Sequence, residues 1–164
     1  MGGGLVGLAT ALQLLEQRPD LRVVVLERED DVGRGQSSRN SGVLHAGLYY
    51  TPGSAKARWC TAGKLRMEQF CAENDVPLLR NGKVVVAVQS DELPRLAQLA
   101  ERARINSVEI RELTAEETHE LEPNVTALAG IHSPTTCATD FGLVTQAMAR
   151  RIRAAGGEVR TGSE

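Results

Sequence analysis

The chain has 164 residues, 41% of them hydrophobic and 24% charged, the balance of one ordinary globular domain or of a piece of something larger. Nineteen basic and 21 acidic residues leave a formal charge of −2, so no basic field exists to hold nucleic acid or an acidic membrane, and 3% aromatics exclude a stacking platform for single strands. The longest apolar runs, such as Val23–Leu26 and Val84–Val88, are strand-sized and too short to span a bilayer. A glycine run follows Met1 where a signal peptide carries basic residues, so a secretory leader is not expected. Three cysteines, Cys60, Cys71 and Cys137, have neither C-x-x-C spacing nor an even count. A metal site and a disulfide framework are therefore not expected, and the compartment is read as reducing and cytoplasmic.

In chain order, Gly2-Gly3-Gly4-Leu5-Val6-Gly7 opens a stretch with Leu5, Leu8, Leu12 and Leu15 at helical spacing. Arg18-Pro19-Asp20 ends that helix, because proline lacks the amide donor and disfavours helix at the residue before it. Leu21–Leu26 reads as a buried, parallel-type strand closed by Glu27. Residues 30–54 form a glycine- and serine-rich loop, a length that inside a compact domain points to function. A helix from Ser54 to about Asn74 aligns Cys60, Gly63, Met67, Phe70 and Cys71 on one stripe. An Asn81-Gly82 turn leads into a strand over Lys83–Gln89. Asp91–Ala103 is an amphipathic helix with Leu93, Leu96, Ala100 and Ala103 inward. Thr114-Ala115-Glu116-Glu117 is a capping box whose helix stops before Pro123. Leu128–Ser133 is a short strand, Asp140 caps a helix through Ala155 that ends at Gly156, and Glu158–Thr161 begins another strand.

The pattern that carries chemistry is G-x-G-x-x-G, met by Gly2, Gly4 and Gly7. The three glycines serve a tight turn, close backbone approach to a pyrophosphate, and close packing of helix on strand. The pyrophosphate sits on the helix N-terminus, where free N–H groups and the dipole favour negative charge. Glu27 lies 20 residues after Gly7 at a strand end, where a carboxylate binds ribose hydroxyls. Glycine turn, helix, valine-rich strand and terminal acid in that order predict dinucleotide binding, with nicotinamide and flavin both open.

The loop discriminates between them. Gly2–Gly7, Glu27-Arg28 and Ser37-Ser38-Arg39-Asn40-Ser41-Gly42-Val43-Leu44-His45-Ala46-Gly47-Leu48-Tyr49-Tyr50 resemble the D-amino-acid-oxidase superfamily of FAD-dependent oxidoreductases. Within it, the match is closest to the L-2-hydroxyglutarate oxidase/dehydrogenase family. Tyr50-Thr51-Pro52-Gly53-Ser54, Lys56-Ala57-Arg58, Glu120-Leu121-Glu122-Pro123 and Ile131-His132-Ser133-Pro134 are similar to that family too. The resemblance implies an α/β fold: a Rossmann-like FAD-binding domain from 1–76 and 139–164, with the first part of a mixed α+β substrate domain inserted at 77–138. It implies oxidation of a 2-hydroxy acid, L-2-hydroxyglutarate to 2-oxoglutarate, with FAD as cofactor and oxygen or quinone as electron acceptor. It also leaves open another amine or amino-acid oxidase of the same superfamily.

By the same resemblance, FAD is held by Gly2, Gly4, Gly7, Glu27, Arg28, Ser37, Ser38, Asn40, Ser41 and Gly42, and His45 lies near the flavin. His45 is the candidate catalytic base, since its unperturbed pKa is close to neutral; packing against the flavin or orienting it is the alternative. Arg39 and Arg58 are candidates for pairing with a substrate carboxylate, Arg39 alternatively clamping FAD phosphate or capping its loop. Tyr50, with Tyr49, either walls a substrate pocket or is buried with a satisfied hydroxyl. His119 and His132 read as surface or structural residues, and Cys60 as helix core. The family's fingerprint follows a strand, and here only Met1 precedes it. The resemblance therefore implies a chain truncated at both ends, inactive by itself or weakly retaining flavin. For a quinone-linked relative it also implies peripheral association with the inner face of a membrane.

Overall fold

The structure, a computed structural model, describes residues 2–163. Its elements in order are α1 (Leu5–Gln17), β1 (Val24–Leu26), β2 (Val43–Leu44), α2 (Ala55–Glu73), β3 (Leu78–Leu79), β4 (Lys83–Ala87), α3 (Leu93–Ile105), β5 (Arg111–Thr114), α4 (Ala115–Leu121), β6 (Ala129–Ser133), β7 (Cys137–Thr139), α5 (Phe141–Ala154) and β8 (Glu158–Arg160). They form two compact units, one from Met1–Gly42, Phe70–Leu78 and Thr139–Glu164, the other from Val43–Gln69 and Leu79–Ala138.

The first unit is the α/β half. Leu8, Ala11, Leu12 and Leu15 form the buried stripe of α1, as their spacing requires. This stripe packs on α5, whose Val144, Ala147, Met148 and Ile152 are buried in turn. Asp140 caps α5 by accepting from the amides of Gly142 and Leu143, and Gly156 takes a left-handed φ of 83° just past its end. β1 and β8 pair in parallel, with Val24 opposite Glu158, Val25 opposite Val159 and Leu26 opposite Arg160. The expected strand at Glu158–Thr161 thus forms, one residue shorter. β1 is shorter than its apolar run because the turn after Pro19 takes up Leu21, which is exposed.

The second unit is antiparallel. β6 lies at the centre of a three-stranded sheet, flanked by β4 and β5. Ile131, 1% exposed at mid-β6, faces Val85 on one side and Glu112 on the other. The capping box forms as read: Thr114 Oγ1 accepts from Glu117 N–H, and the Glu117 carboxylate accepts from Thr114 N–H.

Sequence and structure part company in several places. The interval 43–69, expected with the FAD-binding segment 1–76, lies in the second unit. β2 pairs antiparallel with β7, Val43 opposite Ala138 and Leu44 opposite Cys137, and Ala46 and Leu48 pack into one cluster with Ala103 and Val108. Burial of those side chains outweighs sequence adjacency to the glycine turn. The helix expected from Asp91 starts as a 3-10 turn over Ser90–Glu92 and becomes α-helical at Leu93, with Pro94 in its first turn. That start leaves Leu93 at the helix entry, 37% exposed, while Ala100 and Ala103 are buried. On α2 the expected stripe is only partly covered, with Gly63 exposed and Cys71 buried. β5, between α3 and α4, has no alternation in its sequence to mark it, because Arg111-Glu112-Leu113-Thr114 buries a single residue.

Candidate functional site

In the first unit, the glycine turn leads into α1 with Gly4 as N-cap and no side chain capping it. The first intrahelical bond runs from Leu8 N–H to the Gly4 carbonyl, so the amides before it belong to the open helix end. Leu5 N–H donates to Ser37 Oγ at 2.9 Å, which lays the serine loop against the helix N-terminus. A Cβ on Gly4 would stand 3.1 Å from Ser37 Oγ, and one on Gly7 would collide with the Gly2 carbonyl oxygen. These glycines keep open a cleft of about 430 Å³ lined by Gly2, Gly4, Leu5, Val6, Gly7, Gln36 and Ser37. A second cleft, about 300 Å³, is lined by Ser37, Ser38, Asn40, Ser41, Gly42 and Thr139–Phe141.

Glu27, just past β1, closes the turn from below. Its Oε2 accepts from Gly3 N–H at 2.7 Å and its Oε1 from Glu29 N–H at 3.0 Å. The Glu29 amide, then the Gly3 amide and Arg28, hold the carboxyl below the usual carboxylate range against partial burial. Gly3 falls outside the G-x-G-x-x-G pattern, yet a Cβ there would lie 2.8 Å from Glu27 Oε2. Only the three-glycine run hinted at that need.

The remaining predicted cofactor residues differ in what they touch. Asn40 spends its side chain on the loop itself, donating to the carbonyls of Gln36 and Ser37 and accepting from Gly42 N–H at 2.8 Å. Ser38 Oγ donates to the Gly33 carbonyl at 2.6 Å. Gly42 has φ 70°, and Thr139 N–H donates to its carbonyl at 2.9 Å. Arg28 is exposed and paired with Glu29, whereas Arg39 is exposed and Ser41 lines the second cleft.

A Glu27→Gln substitution replaces one acceptor oxygen by an amide group facing an N–H. We expect it to cost about 1–2 kcal/mol of stability at pH 7. A depressed folded-state pKa adds stability above the unfolded value of about 4.3 that is lost as pH falls through the folded value. Urea melts at stepped pH should therefore show the gap between wild type and variant narrowing on acidification. A gap independent of pH would dismiss the charge as its source.

In the second unit, His45, Gly47, Leu48, Tyr49 and Tyr50 line a small cavity of about 70 Å³. The His45 and Tyr49 rings meet edge to face at 6.5 Å, and Lys83 Nζ stands 4.6 Å from the centre of the Tyr49 ring. Burial, then the Lys83 charge, pushes the His45 imidazole below its ordinary value, so it is neutral and able to accept a proton at pH 7. Cys60 Sγ donates to the His45 carbonyl at 3.2 Å, and burial pushes that thiol up, away from nucleophilic chemistry. Arg58 Nη1 donates to the Gly53 carbonyl at 2.6 Å, so it ties its own loop.

Three residues that sequence reading passed over hold this loop. Arg102 Nη1 donates to the Tyr49 carbonyl at 3.1 Å, Asn106 Nδ2 donates to the carbonyls of Gly47 and Tyr50, and Lys83 covers Tyr49. They are 33 to 56 residues further along the chain, and nothing local marks them. Among the described residues, no group of three or more His, Cys, Asp or Glu side chains could hold a metal ion, and no helix is long and apolar enough to cross a membrane.

Residues 1–164 match the family model described as FAD dependent oxidoreductase, DAO. The chain is 42% identical over 159 residues to L-2-hydroxyglutarate dehydrogenase of Escherichia coli strain K12, covering 97% of this chain and 38% of that protein. It is 41% identical to the mitochondrial L-2-hydroxyglutarate dehydrogenase of Caenorhabditis elegans, covering 98% and 37%. It thus spans about two fifths of the length of these curated relatives. Among solved structures, L-α-glycerophosphate oxidase from Mycoplasma pneumoniae with FAD bound superposes with a TM-score of 0.91 at 28% identity, over 99% of this chain and 44% of that one. Glycine oxidase from Geobacillus kaustophilus, at 23% identity and a TM-score of 0.86 over 99% and 45%, shares the fold.

Proposed function

Because the chain belongs to the DAO family of FAD-dependent oxidoreductases, we propose that it serves the FAD-dependent oxidation of L-2-hydroxyglutarate to 2-oxoglutarate. The observation that carries this reading is the 42% identity to an L-2-hydroxyglutarate dehydrogenase over 97% of the chain. The residues present fit a dinucleotide: an open helix end, glycines where a Cβ would fill the cradle, and an acid at the end of β1.

Gly4 and Gly7 would admit the pyrophosphate to the amides of the first turn of α1. Glu27, with one lone pair of each oxygen engaged, keeps the others for the ribose hydroxyls. Ser37, Ser38, Ser41 and Gly42 would border the same cofactor, with Asn40 stiffening their loop. FAD, when bound, supplies the hydride acceptor for the hydrogen on C2 of the hydroxy acid. A ring nitrogen of His45 takes the proton of the C2 hydroxyl as the carbonyl forms, and its depressed pKa leaves that nitrogen free at neutral pH. Tyr49 and Tyr50 flank it and narrow the approach to the imidazole. Arg39, exposed and with no side-chain partner among the described residues, is our candidate for the acid's carboxylate ahead of Arg58, which is tied to the Gly53 carbonyl. Oxygen or a membrane quinone would be the final electron acceptor, in a cytoplasmic or membrane-peripheral setting.

The test is anaerobic. The gene product from its native source is loaded with FAD and mixed with L-2-hydroxyglutarate, the D enantiomer, or glycine. Bleaching of the flavin absorbance by the L enantiomer alone is the expected result. Bleaching by glycine in its place would move the protein to an amino-acid oxidase, and no flavin binding at all would end the proposal.

A further inference from the structure

We propose that Lys83, standing over the Tyr49 ring beside the His45–Tyr50 cavity, is an anion-binding group that pairs with a carboxylate of the organic acid. The proposal rests on the functional reading above for the identity of the acid, and on the geometry of the second unit for the site.

Lys83 opens β4, and side chains two apart on a strand share a face. Val85, two residues on, packs against the cluster of Ala46, Leu48, Ala103 and Val108. Lys83 is thereby turned toward the same loop, and its ammonium comes to rest over the Tyr49 ring. A cation over a ring face is attracted by the ring quadrupole, but the ring accepts no conventional hydrogen bond from the three N–H donors.

The chain has three lysines, and they are treated differently. Lys56 is exposed. Lys64, with its side chain 11% exposed, is matched by Glu68 at 2.8 Å, as a charge withdrawn from water requires. Lys83 is half-buried and has no carboxylate partner among the described residues. Arg102, which reaches the Tyr49 carbonyl from α3, has none either. Two cations therefore converge on Tyr49, neither of them in an ion pair among the described residues.

The cavity beside them holds about 70 Å³, room for a few waters or for one end of a small acid. Lys83 does not itself line the cavity, but it stands over the ring of Tyr49, which does; a carboxylate projecting from the cavity past Tyr49 would meet the Lys83 donors and the Coulomb field that already acts on His45. The site thus selects for an anionic acid next to the base, and it distinguishes a carboxylate from its neutral amide.

The experiment uses glutarate, which carries both carboxylates and no oxidisable hydroxyl, and its uncharged diamide. Both are titrated calorimetrically into the full chain with FAD, and flavin absorbance is read on the same samples. Glutarate should bind and the diamide should not. Lys83→Met, which keeps the stem length and removes the charge, should weaken glutarate by about ten-fold or more, and Lys83→Arg should restore most of it. The His45 imidazole, followed by NMR with His45→Gln for assignment, should titrate at a higher pH in Lys83→Met. Circular dichroism reports whether each variant folds.

Glutarate binding equally well to wild type and to a folded Lys83→Met protein would overturn the site, as would no binding to wild type. If FAD fails to bind while glutarate remains dependent on Lys83, the flavoenzyme reading falls and the carboxylate site stands.

Discussion

Replacing His45 by glutamine is expected to slow reduction of bound FAD by L-2-hydroxyglutarate by about 10²–10⁴-fold while FAD affinity changes little. Glutamine fills much of the imidazole's volume and can still hydrogen-bond, but it cannot take a proton near neutral pH. His45 and the glycine turn lie in separate stretches of chain, and no hydrogen bond of the turn involves the imidazole. The wild-type rate should also carry the signature of the base. Burial and then Lys83 lower the His45 pKa, so its active neutral form is lost only as pH falls through a midpoint below about 6.5. The rate of flavin reduction should rise with pH through that midpoint and then level off. Glutamine should abolish that limb as well as the rate, and stopped-flow absorbance across a pH series reads both. A variant with an unaltered rate would assign His45 to packing.

Gly7→Ala is expected to destabilise the first unit by about 1–3 kcal/mol and to weaken FAD binding by about ten-fold or more. Helix propensity alone argues the opposite, since alanine exceeds glycine by up to about 1 kcal/mol inside a helix. Here the new Cβ would press on the carbonyl oxygen of Gly2 and lie about 3.0 Å from its carbon. Both are backbone atoms and have no rotamer by which to yield, so the turn must open. Opening it moves the first-turn amides that a pyrophosphate would meet. Gly2→Ala is the internal control: nothing lies within 4 Å of a Cβ there, and its stability should stay close to that of wild type. Thermal unfolding and flavin-fluorescence titration of the two variants separate them. Equal behaviour would show that the turn tolerates a side chain at either position.

That contrast marks how far the sequence could be read. Gly2, Gly4 and Gly7 are equal letters in a pattern, but only the folded turn shows that Gly7 crowds backbone, Gly4 a serine hydroxyl and Gly2 nothing. Gly3, outside the pattern, is the residue that touches Glu27. Asn40 reads as a cofactor residue because of the block in which it sits, and its side chain is found bracing that block.

By itself the sequence determined what is local. The stripe Leu8, Leu12, Leu15 set α1, Thr114 and Glu117 set the start of α4, and Asp140 and Gly156 set the ends of α5. Each depends on contacts within a few residues, where periodicity and capping chemistry are legible. It also set the order of glycine turn, helix, strand and acid from which a dinucleotide site follows. Only the tertiary structure decided that 43–69 leaves the glycine-turn unit, that β8 sets Glu158, Val159 and Arg160 opposite Val24, Val25 and Leu26, and that Lys83, Arg102 and Asn106 gather on the Tyr49–Tyr50 loop. Those pairings are chosen by burial and hydrogen bonding summed over distant segments, and single residues such as a lysine at a strand end carry no local mark of their partner.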